Sequence, residues 1–278
     1  MKIFKSVEKF INSQLQVQSF IPTMGNLHEG HLSLIKEAKK NAGNICVSLY
    51  VNENQFTNKK DFDLYPITLE EDIKNLEKIG INYLLMPEKK DIENFSKPFD
   101  IKLEPKEITD DLCGKYRPGH FLAVIDIVHR FFQIIKPKNI FLGRKDYQQI
   151  IAIRELIKIY NYNIDIIPYD TVRNKDGLAL SSRNNLLSKE EMKIANEIYR
   201  ALLLSKKLHN NDVSLSEIVA TINEVFAKSE IKLEYFTIRD LKTLQHRNDN
   251  DLIALIAVYM GDIRLIDNII IKSKLSLN

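Results

Sequence analysis

The sequence predicts an α/β chain, a doubly wound parallel sheet followed by a smaller α+β region. Three observations predict it. Short β-rich runs alternate with segments whose apolar residues recur at helical spacing. One run, Asn44 to Val51, has the character of a strand buried in a parallel sheet. Beyond His209-Asn210-Asn211-Asp212 the alternation gives way to one helix and then β-rich runs with no helix between them.

The elements follow in order. Ser19 to Thr23 reads as a short strand ending in a loop, and from about Gly30 the positions Leu32, Ile35 and Ala38 mark a helix. Asn44 to Val51 is the next strand, followed by a polar loop to Pro66. Thr68 stands where a helix N-cap belongs. Glu70, Glu71 and Asp72 fill the first turn, where the helix dipole favours carboxylates, and Ile73 and Leu76 form its buried stripe. Tyr83 to Met86 is a short strand, and the proline-bearing, polar stretch Asn94 to Lys106 reads as a surface excursion. Ile125, Val128, Phe132 and Ile135 share one face of a helix that Pro137 terminates. Asn139 to Leu142 is a strand, Ile150 to Ile159 a helix and Ile164 to Val172 a strand again. A long helix near Glu190 to Leu208, a helix at Leu215 to Ala227 and β-rich runs at Leu233 to Ile238 and Leu252 to Met260 complete the chain.

Composition narrows the function. The 278 residues suit one large domain or two unequal ones and can bury a sizeable core without staples. Lys and Arg number 40 against 37 Asp and Glu, a net charge of +3, with no arginine-rich block; this argues against nucleic acid as a partner. The two cysteines exclude a disulfide framework and lack the spacing of a structural zinc site, so a reducing compartment is expected. Cys46 reads as a buried small hydrophobe, and Cys113 as a loop residue with no base beside it. No apolar run approaches the roughly 20 residues that span a bilayer, and Met1 to Phe10 is not a signal-peptide core. A cytoplasmic protein without membrane partners is expected.

Ligands of doubly wound sheets sit beyond the C-terminal strand ends, and the chemistry-bearing motifs fall there. Pro22-Thr23-Met24-Gly25-Asn26-Leu27-His28-Glu29-Gly30-His31 runs from a strand end into a helix start. A helix N-terminus is a ready anion site, and two imidazoles there could meet phosphate oxygens. The same pair also suits plain helix capping; a zinc site lacks further ligands. In Gly143-Arg144-Lys145-Asp146-Tyr147-Gln148-Gln149, Lys145 could neutralise phosphate, Asp146 could accept from a hydroxyl, and Gln149 lies one turn further along the same helix face; a charged, solvated helix cap is the other reading. Asp176-Gly177-Leu178-Ala179-Leu180-Ser181-Ser182-Arg183-Asn184 can wrap a triphosphate or simply lead into a helix. Asn52, Gln55 and Phe56 offer amides and an aromatic ring to a hydroxylated organic ligand, and Arg117-Pro118-Gly119-His120-Phe121 is a rigid turn with one cation and one imidazole.

In this order, those segments together with Val51-Asn52, Tyr65-Pro66, Phe141-Leu142 and Arg264-Leu265-Ile266-Asp267-Asn268 resemble the pantothenate synthetase (pantoate-beta-alanine ligase) family over nearly the whole chain. The resemblance implies a Rossmann-like nucleotidyltransferase domain over residues 1–185, a C-terminal α+β lid over 186–278, and a homodimer. It implies a two-step reaction: ATP and pantoate give pantoyl adenylate and pyrophosphate, then beta-alanine attacks to give pantothenate and AMP, with Mg2+ accompanying ATP. The catalytic set it implies is His28, His31, Lys145, Ser181, Ser182 and Arg183. ATP would also meet Pro22, Met24, Gly25, Gly143, Asp146, Val172 and Leu180. Pantoate would meet Met24, Gln55, Phe56 and Gln149, and beta-alanine would meet Gln55. Carried over by position, Glu71 and Asp72 would place the metal or cap their helix. Three positions depart from the family pattern: Glu53 replaces a proline, Ile67 replaces an arginine after Tyr-Pro, and Arg144 replaces a glutamate before Lys-Asp.

Two other functions compete. A nucleotidyltransferase acting on a phosphorylated alcohol would want more cations than Gln55, Gln149, Met24 and Phe56 supply. A nucleic-acid module would show a basic stripe with interleaved aromatics.

Overall fold

The β-rich runs that alternate with helices pair in parallel, as that alternation requires. A computed structural model describes residues 1–57, 59–100, 107–246 and 251–272. Its elements begin with strand β1 (Lys2–Phe4), helix α1 (Val7–Asn12), β2 (Ser19–Thr23), α2 (Glu29–Ala38) and β3 (Ile45–Leu49). A 3₁₀ turn at Glu53–Gln55 leads to α3 (Lys59–Asp63), α4 (Leu69–Ile79), β4 (Tyr83–Leu85), α5 (Lys89–Phe95), α6 (Glu107–Asp110), α7 (Cys113–Tyr116) and α8 (His120–Ile135). β5 (Asn139–Gly143), a 3₁₀ turn at Arg144–Asp146, α9 (Tyr147–Ile159) and β6 (Asp165–Tyr169) follow. A 3₁₀ turn at Ser182–Leu186 then precedes α10 (Lys189–Ala195), α11 (Glu197–Asn210), α12 (Leu215–Ala227), β7 (Lys232–Asp240), β8 (Leu252–Met260) and β9 (Ile263–Lys272).

Two compact units result, Met1–Gly143 with Gln148–Asp170, and Arg144–Tyr147 with Thr171–Asn278. In the first, six strands among the described residues form a sheet in the order β1-β4-β3-β2-β5-β6 with every pair parallel. Alternate residues of β2 serve opposite faces: Ile21 packs with Leu34, Ile35 and Leu76 of α2 and α4, while the Phe20 ring meets Phe131 of α8 at 5.6 Å. Helices therefore cover both faces. From β2 the chain proceeds outward through β3 and β4, then returns to β2's other flank as β5. The switch point of the sheet lies between β2 and β5.

In the second unit β7, β8 and β9 form an antiparallel sheet. Its inner residues Ala254, Ile256 and Val258 are buried with Ile198, Leu202, Ile218 and Ile222 of α11 and α12.

Several expectations change in detail. β1 and α1 carry too few residues to show a period. The polar loop before Pro66 contains α3 and a 3₁₀ turn. The long helix near Glu190 breaks at the buried Asn196 into α10 and α11. Cys113 opens α7 and is buried rather than on an exposed loop. β9 is a strand that the polar pair Asp267-Asn268 hides from alternation. Of the predicted excursion Asn94 to Lys106, residues 101–106 lie outside the described residues.

The expected division at 185/186 and the observed one differ in two loops. Thr171 to Asn185 goes with the second unit, and so does Arg144–Tyr147. Tyr147 donates its hydroxyl to the Leu241 carbonyl at 2.9 Å, and Asn268 holds the carbonyls of Arg144 and Lys145.

Candidate active site

In the first unit the centre is the turn from β2 into α2. Gly25 and Asn26 both adopt positive φ, +81° and +49°, so the chain reverses sharply at the strand end. At Gly25 a Cβ would stand 3.2 Å from Asp72 Oδ2, which adds crowding to the backbone preference for glycine. Asp72 accepts from the backbone N–H groups of Asn26 and Leu27, both at 2.8 Å, and from the Thr68 hydroxyl at 3.2 Å. Thr68 thus stands at the N-cap position of α4 without capping it.

His28 is the N-cap of α2 and forms a reciprocal capping box with His31. His28 Nδ1 accepts from Gly30 N–H at 3.1 Å, and His31 Nδ1 accepts from His28 N–H at 3.4 Å. The rings lie 4.1 Å apart, tilted by 33°. An imidazole whose Nδ1 accepts carries its proton on Nε2 when neutral. Capping and anion binding are therefore compatible: the cap uses Nδ1 and sets Nε2–H as a donor beside a helix N-terminus. Pro22 and Met24 of this turn are half-buried.

Beyond β3, Asn52 is buried and donates to the Ala123 carbonyl of α8 at 3.1 Å. Gln55 is held through its own carbonyl, which accepts from His120 Nδ1 at 2.7 Å and from Arg117 Nη2 at 3.1 Å. Because that carbonyl can only accept, His120 bears its proton on Nδ1, and its Nε2 faces Arg117 Nη1 at 3.0 Å. The predicted turn at Arg117-Pro118-Gly119-His120 is thus a brace for Gln55. Phe56 joins Phe62 and Tyr65 in edge-on contacts at 5.3 and 5.5 Å. Of the neighbouring amides on α9, Gln148 is buried and bonded to Ile108, Asp111 and Cys113, whereas Gln149 is half-buried.

The metal expectation for Glu71 and Asp72 does not fit. Glu71 is exposed on α4, and both oxygens of the buried Asp72 serve the β2–α2 turn. Among the described residues no group of three or more His, Cys, Asp and Glu could hold a metal. Cys46 is fully buried and its thiol pKa is pushed far up by desolvation, which makes it inert. Among the described residues no helix is long and apolar enough to cross a membrane.

The second unit holds the other predicted group. Lys145 is mostly buried, with Nζ 3.7 Å from the half-exposed Asp146 carboxylate. Val172 and Leu180 pair across a tight hairpin, closed by a Leu180 N–H to Val172 carbonyl bond at 2.9 Å. At its tip Gly177 has φ +100°, and a Cβ there would fall 2.3 Å from the Tyr199 ring. The hairpin delivers the chain to Ser181, whose Oγ accepts from Arg183 N–H at 3.2 Å and opens the 3₁₀ turn.

Sequence reasoning missed the anchors behind these loops: Asp72 as the clamp on Asn26 and Leu27, and Arg173 with Asp267 and Asn268 behind the hairpin. Asp267-Asn268 appeared within a matched segment with no role, and Arg173 carried no signal.

The model of the family described as pantoate-beta-alanine ligase matches residues 2–270. The chain belongs to that family. It is a ligase. The pantothenate synthetase of Marinomonas sp. (strain MWYL1) is 41% identical over 253 residues, 90% of each chain. The crystal structure of pantothenate synthetase from Thermus thermophilus superposes with a TM-score of 0.90 at 32% identity, covering 98% of this chain and 99% of that one. A pantoate-beta-alanine ligase from Francisella tularensis, complexed with beta-gamma ATP and beta-alanine, gives 0.78 at 37% identity over 97% of each.

Proposed function

We propose that the protein condenses pantoate and beta-alanine in two steps driven by ATP. Family membership supports the overall condensation. The observation that carries the chemistry is the pair of imidazoles at the start of α2, beyond the end of β2 and at the switch point of the sheet.

In the first step a pantoate carboxylate oxygen attacks the α-phosphorus, the bond to the β-phosphate oxygen breaks, and pyrophosphate leaves with the electron pair. No protein nucleophile is needed, so positioning and charge stabilisation dominate. His28 and His31 donate from Nε2 to phosphate oxygens. Lys145, Ser181, Ser182 and Arg183 stabilise charge on the α-phosphate and the leaving pyrophosphate. Pro22, Gly25, Gly143, Val172 and Leu180 line the nucleotide, and Asp146 accepts from the ribose. Gln55 and Gln149 hold pantoate while Met24 and Phe56 pack against its methyls. In the second step the neutral amine of beta-alanine, oriented by Gln55, attacks the acyl carbon; the bond to AMP breaks and the amine gives up a proton. Magnesium, carried in with the nucleotide, would offset phosphate charge, and Asp72 would keep its place on the β2–α2 turn.

A mixed anhydride hydrolyses if water reaches it, which supports reading the second unit as a lid that closes over the adenylate. The working form is a homodimer, as the family resemblance implies, in the cytoplasm.

The test is pyrophosphate release from ATP and pantoate, with and without beta-alanine, and mass identification of the product. Pantothenate with AMP is expected, and His31→Ala is expected to lose release while the protein stays folded. Release with a phosphorylated alcohol, and none with pantoate, would overturn the acceptor.

A further inference from the structure

We propose that Asn268 is a positioning residue for Lys145, and that it holds the lysine through backbone alone. Asn268 lies on β9 and is buried. Its amide nitrogen donates one hydrogen bond to the Arg144 carbonyl at 2.8 Å and one to the Lys145 carbonyl at 2.9 Å. Those carbonyls belong to the peptide planes on either side of the Lys145 Cα. Holding both planes holds the φ and ψ of Lys145, and so the direction in which its side chain leaves the backbone. A side-chain amide has two N–H donors on one nitrogen; aspartate at this position has none, and alanine has nothing to offer.

Asn268 is itself held. Its backbone N–H donates to Asp267 Oδ1 at 2.8 Å. The buried Asp267 carboxylate accepts two bonds from the Arg173 guanidinium, one at 3.0 Å, and that guanidinium lies 3.9 Å over the Tyr199 ring. Arg173 also donates to the Gly177 carbonyl at 3.0 Å, at the tip of the hairpin that leads to Ser181. One polar network on the C-terminal sheet therefore secures both the Lys145 turn and the hairpin before Ser181–Arg183. A hydrogen-bonded network of this kind, built on the buried Asp267 and Asn268, favours one geometry. Lys145 follows β5 in sequence but is held to β9 by this network.

The inference rests on the reading of Lys145 given above, and the experiment separates the two. In the full-length protein, Asn268→Ala and the isosteric Asn268→Asp, each checked by urea unfolding, are expected to slow pyrophosphate release at least tenfold at saturating ATP and pantoate. The KM for pantoate is expected to stay within threefold. Because Asn268 acts through Lys145, adding either change to Lys145→Ala should slow release no further than Lys145→Ala alone. Hydrogen exchange without substrates reads the anchor directly: the peptide covering 144–147 should exchange faster in both Asn268 variants. Unchanged exchange, or losses that multiply in the double variant, would overturn the inference. Full release by Lys145→Ala would overturn the reading of Lys145 and with it the catalytic part of the inference, and the exchange result would still decide the anchor.

Discussion

Asp72 accepts from the two backbone N–H groups that connect Gly25 to the N-cap His28, so a carboxylate on α4 sets where the imidazoles of α2 stand. Backbone donors of this kind, buried and bonded to a charge, are strong. Asp72→Asn keeps the shape but replaces one acceptor oxygen by an NH2 group facing an N–H donor. We expect it to lower the unfolding free energy by about 2 kcal/mol, read from the urea midpoint, and to raise the KM for ATP; an unchanged midpoint would remove the anchoring role. The sequence placed Asp72 correctly in a first helical turn but could not show its partner. Asn26 and Leu27 lie 46 and 45 residues away, and no local pattern links them. His28 and His31 were legible because capping acts over three residues.

α8 is an element whose apolar face was legible from Ile125, Val128, Phe132 and Ile135, all buried. Its polar side was not. His129 is buried there, with Nδ1 3.0 Å from the Tyr162 hydroxyl and its ring 4.2 Å from that of Tyr160. Arg130 bonds to Asp126 at 2.9 Å and to the Ser96 carbonyl at 3.2 Å, and Asp126 accepts from Phe99 N–H at 2.7 Å. Desolvation lowers the His129 pKa from 6.5 and Arg130 lowers it further, against the raising effect of Asp126 and Asp100. Burial raises Tyr162 to about 12, so its hydroxyl stays protonated as the donor. A histidine with a lowered native pKa binds its proton more tightly in the unfolded chain. Its contribution is intact above about 6.5 and is lost as pH falls through the native value. Stability should therefore decline on acidification from pH 7.5 to 5.5, and His129→Phe should flatten that slope; urea midpoints that run parallel in the two proteins would refute the assignment.

At the scale of the molecule, the lid reading predicts that ATP and pantoate together contract the particle in small-angle X-ray scattering more than ATP alone. The homodimer reading predicts a scattering mass twice the chain's 32.3 kDa. An unchanged radius or a single-chain mass would each remove the corresponding reading. The sequence by itself determined the fold class, the order of its main elements and the motifs at the strand ends, because helical and strand periodicity, caps and turn glycines act within a few residues. The tertiary structure decided which residues stand behind those motifs. Asp72 beneath the imidazoles, His120 and Arg117 on the Gln55 carbonyl, and Asn268 on the Lys145 turn are separated from their partners by 45, 65, 62 and 123 residues. Such pairs meet only when sheets and helices have packed, since a buried donor must find its acceptor wherever the fold brings one.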